Sequence, residues 1–364
     1  MLQSISYGTS PAFFLGANTP EGFVSLFSGL YFPEEGWRLY ILIGGPGTGK
    51  SSVMKKIAAE ADARGIFCER IHCSSDPASL DAVIMPGLKV SIADGTSPHV
   101  IEPRFPGVCE KVVDLGAYRH DEALRENGEK IIAKTLENSL EHKKCIGFLR
   151  AAALAAADNR LLLAPETDGR KLRNFSLHLA EKLIGSVSSG EGRVSRRFLS
   201  ALTPEGETMF DDTVSCLCEH RIVLEDAYGV CAPVILKVLE GRAVRAGLSV
   251  IECPCAMRSG KVTEHLILPE LSLGIFTANK YHPFEGEREK TVHCQRFIAP
   301  SAFREHRNRI SFNVKAQKEF TDEAVERLKN AKALHDELES YYINAMDFTG
   351  VKRKTKELTA EIFA

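Results

Sequence analysis

The eight residues Gly44-Gly45-Pro46-Gly47-Thr48-Gly49-Lys50-Ser51 fit the pattern G-x-x-x-x-G-K-[ST], and they follow the apolar run 39–43. That order suits anion capture. A buried strand delivers a glycine-rich turn to the start of a helix, where backbone N–H groups and the helix dipole attract a phosphate. The glycines permit positive φ and a close approach of the backbone, which a Cβ would obstruct. In this scheme Gly45, Pro46, Gly47, Thr48 and Gly49 wrap the phosphates, and Lys50 reaches the β- and γ-oxygens as a point charge. Ser51 ligates Mg²⁺ through its hydroxyl and Ser52 contacts the α-phosphate. A glycine-rich turn that binds nothing would leave the lysine and the serine unexplained.

Such a site also needs a carboxylate for the Mg²⁺ shell, at the end of a neighbouring buried strand. The segment Leu88-Lys-Val-Ser-Ile-Ala-Asp94-Gly95 offers Asp94 after four apolar residues. The competing expectation for Asp94 is a turn aspartate. Asp76 and Asp81 lie just past a second strand, expected over residues 66–72. Asp76 precedes Pro77 and reads first as a helix cap. Strand ends beside such a loop also face the ligand crevice of an open α/β sheet, so Asp76 is the candidate to orient water or accept a proton. His99 and Glu102, on the loop after Asp94, are weaker candidates.

These residues need a scaffold, and the chain contains it twice. Residues 14–22 (FLGANTPEG) recur as 198–206 (FLSALTPEG), identical at seven of nine positions. The strand before the glycine loop aligns with residues 220–225, Gly65 with Gly247, Cys73 with Cys255, Pro86 with Pro269 and His99 with His282. The loop of the second copy reads Glu225-Asp226-Ala227-Tyr228-Gly229-Val230-Cys231-Ala232-Pro233. Lys50 is replaced by Ala232, Ser51 by Pro233 and Asp94 by Thr277, and Glu225 and Asp226 would repel a phosphate. The expectation is two α/β domains, 1–187 and 188–364, one active and one a degenerate repeat. Each is expected to be a three-layer α/β/α unit with a mainly parallel sheet and a projecting helical hairpin. The hairpins read as 121–157 with 170–184, and 321–346 with 352–363, broken at Gly169 and Gly350. Arg258, Arg242 or Arg245 of the second copy is the candidate arginine finger for the first.

At 364 residues two cores are well supported, and a formal charge of −2 argues against a broad nucleic-acid surface. The start of the chain lacks a basic leader and no stretch is long enough to span a bilayer, so the expectation is a cytoplasmic protein without a membrane partner. The ten cysteines are expected to be reduced thiols.

The motifs 44–52 (GGPGTGKSS), 72–81 (HCSSDPASLD) and 94–99 (DGTSPH) resemble those of a bacterial family of tandem-repeat P-loop proteins, within the P-loop NTPase superfamily, usually labelled ATPase or nucleotide-kinase-like. The resemblance runs over nearly the whole chain. Both halves of that family commonly carry a P-loop, and this chain departs by losing the second. The function implied is Mg-dependent ATP hydrolysis at the first repeat, with the second as regulator or scaffold. A kinase acting on a small molecule or nucleotide, and a nucleotide-sensing switch with negligible turnover, are the alternatives. ATP is favoured over GTP because residues 279–282 (NKYH) lack the aspartate of a guanine reader. Gly95 stands where many motor ATPases place a water-polarising glutamate, which gives weight to the alternatives.

Overall fold

The computed structural model describes residues 10–185, 190–279, 284 and 286–364. The expected domain boundary at 187/188, and Lys280, Tyr281 and His282, lie outside the described residues.

The first repeat supplies β1 (Ala12–Phe14), β2 (Gly16–Thr19), β3 (Gly22–Ser25), β4 (Arg38–Ile43), β5 (Glu69–His72), β6 (Leu80–Met85), β7 (Val90–Asp94) and β8 (Glu110–Asp114). Six of these make one sheet in the order β1-β5-β6-β7-β4-β8. The second repeat supplies β9 (Val194–Arg196), β10 (Ser200–Thr203), β11 (Gly206–Met209), β12 (His220–Glu225), β13 (Val250–Pro254), β14 (Thr263–Leu268), β15 (Leu273–Ala278) and β16 (Lys290–His293). Its sheet runs β9-β13-β14-β15-β12-β16. The two orders coincide strand for strand, and β2–β3 and β10–β11 are matching hairpins. The internal repeat is therefore a repeat of topology.

Both sheets are mixed rather than mainly parallel, because β6 and β14 run antiparallel to their neighbours. The reason lies in the connections. Pro86–Leu88 forms a single 3₁₀ turn closed by Lys89 at φ 52°, and Pro269–Leu271 with Ser272 at φ 46° repeats it. A parallel crossover needs a dozen or more residues; these turns give hairpins. The strand expected from Leu88 accordingly starts at Val90, and the one expected from Ile66 at Glu69.

The helices are α1 (Lys50–Ala63), α2 (Asp121–Arg125), α3 (Gly128–Leu163), α4 (Gly169–Ile184), α5 (Asp211–Leu217), α6 (Ala232–Arg245), α7 (Pro300–Glu305), α8 (Arg307–Asn344) and α9 (Phe348–Ile362). Gly65, at φ 66°, ends the first helical segment as expected. The second long helix starts earlier than Thr321, and its break falls at 345–347. Asp347 caps α9 there by accepting the Thr349 N–H at 2.9 Å, while Gly350 sits inside that helix.

The helical hairpins do not project from their own repeats. They are exchanged. Val351, Leu358 and Ile362 of α9 share a core with Tyr40, Leu42 and Ile57 of the first repeat. Leu172, Leu179 and Ala180 of α4 share one with Leu224, Ile235 and Leu236 of the second. The long helices α3 and α8 pack along each other through Cys145, Leu149, Ala324 and Leu328. Paired backbone bridges, Arg119 to Met346 and Thr167 to Ile298, fix the crossings. The same spacing that carries Arg119 to Ile298 and Thr167 to Met346 relates every position of α3 to one of α8.

Among the described residues the long helices pack on the outer face of each sheet, and the inner face carries only the short helix α5 and two hairpins, which replaces the expected three-layer units. The inner faces meet in a shared core. Leu39, Ile41 and Ile84 contribute from one sheet and Val223, Ile267 and Phe276 from the other, with Phe14 and Phe198 between. The hairpins β2–β3 and β10–β11 and helix α5 belong to this middle layer. Among the described residues no helix is long and apolar enough to cross a membrane.

Candidate functional site

Strand β4 is buried along Leu39, Tyr40, Ile41 and Leu42 and ends at the glycine loop. Gly44, Gly47 and Gly49 have φ of 155°, 66° and 90°, values that L side chains rarely adopt. Helix α1 begins at Lys50. Inside the loop the Thr48 hydroxyl donates to the Gly45 carbonyl at 2.9 Å, and Lys50 Nζ donates to the carbonyls of Gly44 and Gly45 at 3.2 and 2.8 Å. Lys50 is folded back onto the loop that it would leave to meet a phosphate. The backbone N–H groups of Thr48 and Gly49 have no acceptor among the described residues.

Asp94 ends β7, in register with Leu42 of β4. Its Oδ2 lies 3.6 Å from Lys50 Nζ, and both side chains are largely buried. Its Oδ1 accepts from the Thr96 N–H at 2.8 Å and hydroxyl at 2.6 Å, so it is a turn aspartate and a partner of Lys50 at once. Burial pushes its carboxyl above the usual range, and Lys50 and Thr96 offset only part of that. Ser51 Oγ accepts from the Leu80 N–H at 3.0 Å, and Ser52 is exposed. Ser51 and Asp94 are the donors available to a Mg²⁺ ion. Among the described residues no cluster of three or more His, Cys, Asp or Glu is placed to hold a metal. A hydroxyl and a carboxylate fit Mg²⁺ as it is commonly held, with phosphate oxygens and waters completing the shell.

Asp76 caps no helix. It lies in the turn between β5 and β6, where it accepts from the Ser79 hydroxyl at 2.6 Å. The helical expectation fails because residues 73–79 close a tight connection between antiparallel strands, with the Cys73 N–H bonded to the Ser79 carbonyl. Lys332, on α8 of the other repeat, lies 3.4 Å from Asp76. His99 lies 3.0 Å from Asp81 and stacks on Phe27 at 4.3 Å between ring centroids, both members of the pair being buried. Glu102 is exposed.

The glycine loop is roofed by α8. A Cβ on Gly45 would come 2.7 Å from Tyr342, and one on Gly47 would come 2.9 Å from Ile343 and from the Glu339 carbonyl. Glu339 Oε1 accepts from the Gly47 N–H at 3.2 Å, with His335 Nε2 3.5 Å away. The hydrogen bond from His335 is the main reason that the Glu339 carboxyl sits below its usual range. Glu339 and Tyr342 carry no local sequence signal for a role at a loop nearly 300 residues earlier.

The second repeat fills its own loop. Asp226, buried at the position of Gly44, accepts from the N–H groups of Gly229 at 3.0 Å, Cys231 at 2.7 Å and Ala232 at 2.7 Å. The aspartate expected only to repel a phosphate serves the loop as an internal acceptor. Thr277, opposite Asp94 in the repeat, donates to the Glu264 carbonyl at 2.6 Å. The arginines singled out as fingers are engaged elsewhere: Arg258 donates to the Gly229 carbonyl at 3.2 Å, and Arg242 donates to that of Gly185 at the end of α4. Neither of them, nor Arg245, bonds the first loop among the described residues. All ten cysteines are free thiols.

Comparison of the chain with protein-family models, with curated proteins and with solved structures finds no match. The site consists of a glycine turn, a lysine, a hydroxyl and a largely buried carboxylate, closed by a helix from the other repeat.

Proposed function

We propose that the first repeat is a P-loop nucleotide site that binds Mg-ATP and hydrolyses it, and that the second repeat is its regulator and scaffold. The observation that carries this reading is the pairing of Lys50 with Asp94 at 3.6 Å beside a loop whose Thr48 and Gly49 N–H groups have no acceptor among the described residues. On binding, Lys50 exchanges the carbonyls of Gly44 and Gly45 for phosphate oxygens, and the loop amides hold the phosphate chain in line. Ser51 and Asp94 would hold Mg²⁺, which would supply charge neutralisation on the transferring group. Asp76 orients the attacking water once Lys332 withdraws with α8. Once Lys50 has turned to the phosphate, it and the loop donors lower the barrier because they act in a largely buried site.

A second reading, a switch with little turnover, is favoured by one contact. Glu339 holds the Gly47 N–H, so nucleotide entry must displace the end of α8. Binding at the first loop then becomes movement in the helices that join the repeats.

The test is phosphate release from Mg-ATP by the full chain beside Lys50→Ala, with no acceptor added. Steady release lost in the variant supports hydrolysis. Nucleotide binding without release leaves the switch and sinks the hydrolase. Failure to bind at all sinks both.

A further inference from the structure

A cavity of about 120 Å³ lies beside the degenerate loop of the second repeat, between that loop, α3 and α8. Its lining includes Arg160 from α3 and Arg258 from the turn after β13. We propose that this cavity is a second ligand site, for a small organic carboxylate, gripped by Arg160 and Arg258.

The two guanidinium groups are the first argument. The Arg160 side chain makes no hydrogen bond or ion pair among the described residues, and Arg258 bonds only a neutral carbonyl, that of Gly229. Burial and the neighbouring Arg258 both disfavour the charge on Arg160. The nearby Asp226 carboxylate does not serve as its ion-pair partner, since it is bonded to three loop N–H groups. Two cations drawn together in a concave, partly buried place are stabilised by an anion between them, and the planar guanidinium fork suits a carboxylate.

The repeat supplies the second argument. Arg160 occupies on α3 the place of Glu339 on α8, and Arg258 that of Asp76. Lys332, which balances Asp76 at 3.4 Å, has Ala153 as its counterpart on α3. The charge at these two positions is thus reversed in the second repeat, and Lys332 has no charged counterpart on α3.

Size and chemistry choose the ligand. A cavity near this volume holds a molecule of roughly benzene size, so a nucleoside triphosphate is excluded. The amide nest that would favour phosphate is filled by Asp226. Glu207 and Glu264 also line the cavity, and they disfavour a dianion more than a monoanion. Leu202, Met257 and Val314 add apolar wall for a short hydrocarbon body.

The experiment is calorimetric titration of acetate, lactate, succinate and inorganic phosphate into the full chain, into Lys50→Ala, and into Arg160→Gln, Arg160→Lys and Arg258→Gln. At least one carboxylate is expected to bind the wild type and Lys50→Ala alike. Losing one charged fork should weaken it about tenfold or more, with Arg160→Lys in between. Melting curves identify any variant that fails to fold, and the lysine variant keeps the charge if the glutamine one does not. No binding of any carboxylate to the wild type, binding unmoved by the arginine variants, or preference for phosphate would each overturn the proposal. Binding retained in Lys50→Ala separates this site from the first loop.

Discussion

Arg160 and Glu339 hold equivalent positions on the two exchanged helices and carry opposite charges. Glu339 reaches across to the Gly47 N–H at 3.2 Å, and Arg160 lines the cavity beside Gly229, the counterpart of Gly47. Each repeat therefore presents the other's loop with one charged residue from the last turns of a helix of 36 or 38 residues. Exchange of the helices makes each site depend on both halves of the chain.

A carboxylate on a loop amide competes with a phosphate for the same donor. Glu339→Ala should bind Mg-ATP about three- to tenfold more tightly than the wild type, the scale of one hydrogen bond to a charged group plus the lost repulsion. Glu339→Gln keeps an acceptor and should gain less. Equilibrium titration with a non-hydrolysable ATP analogue reads the difference. Equal or weaker binding in Glu339→Ala would remove Glu339 from competition for the loop.

Asp94 gives a pH prediction. Its folded-state carboxyl is raised, burial being the main cause, so the folded protein holds its proton more tightly than the unfolded chain does. Stability is then lost as pH rises from the unfolded value, about 3.9, through the raised folded value, and the loss is complete above it. Asp94→Asn lacks that dependence. The melting temperature of the variant relative to the wild type should rise across this window and level off, while Mg-dependent nucleotide binding is lost. A difference independent of pH would contradict the burial argument.

The exchange of helices predicts where damage appears. Leu358 is buried on α9, at the C-terminal end of the chain, yet it packs in the core of the first repeat. Leu358→Ala should cost about 2–4 kcal/mol by cavity formation. Hydrogen exchange should accelerate in residues 38–63 and leave 220–245 nearly unchanged. The converse holds for Leu179 on α4, which packs in the core with α6. Acceleration confined to the mutated residue's own repeat would mean that the helices are not exchanged in solution.

The local parts of this structure were legible in the sequence. A buried strand, glycines at the turn and a helix after the loop are short-range consequences of side-chain volume and φ; the helix, expected over 51–64, runs Lys50–Ala63. The repeat was legible because matching segments such as 14–22 and 198–206 must pack alike. The antiparallel β6 was hidden, since its apolar run LDAVIM reads the same in either direction and only the short turn at Pro86 decides. The exchange was hidden for a different reason. Apolar spacing on α9 marks a face to be buried, and nothing in it says which of two similar cores will bury it. Asp226 falls between: its charge was visible, and its use as an internal acceptor required the loop's N–H groups to be placed.

Asp226 yields the most direct test of what became of the second loop. Its carboxylate satisfies the N–H groups of Gly229, Cys231 and Ala232 at the start of α6, where an anion is favoured by the free amides and the dipole. Asp226→Ala leaves those donors without their acceptor in a buried place, at a cost of about 3 kcal/mol or more. Asp226→Asn keeps one acceptor oxygen and should cost less. If the side chain stands in for a phosphate, inorganic phosphate should restore part of the lost melting temperature in Asp226→Ala. The wild type should respond little, and chloride at matched ionic strength should not substitute. Stabilisation by bound ligand grows with the logarithm of its concentration, so a phosphate titration of the melting temperature separates binding from screening. A variant as stable as the wild type, or one indifferent to phosphate, would show that the loop no longer keeps the shape of an anion cradle without its aspartate.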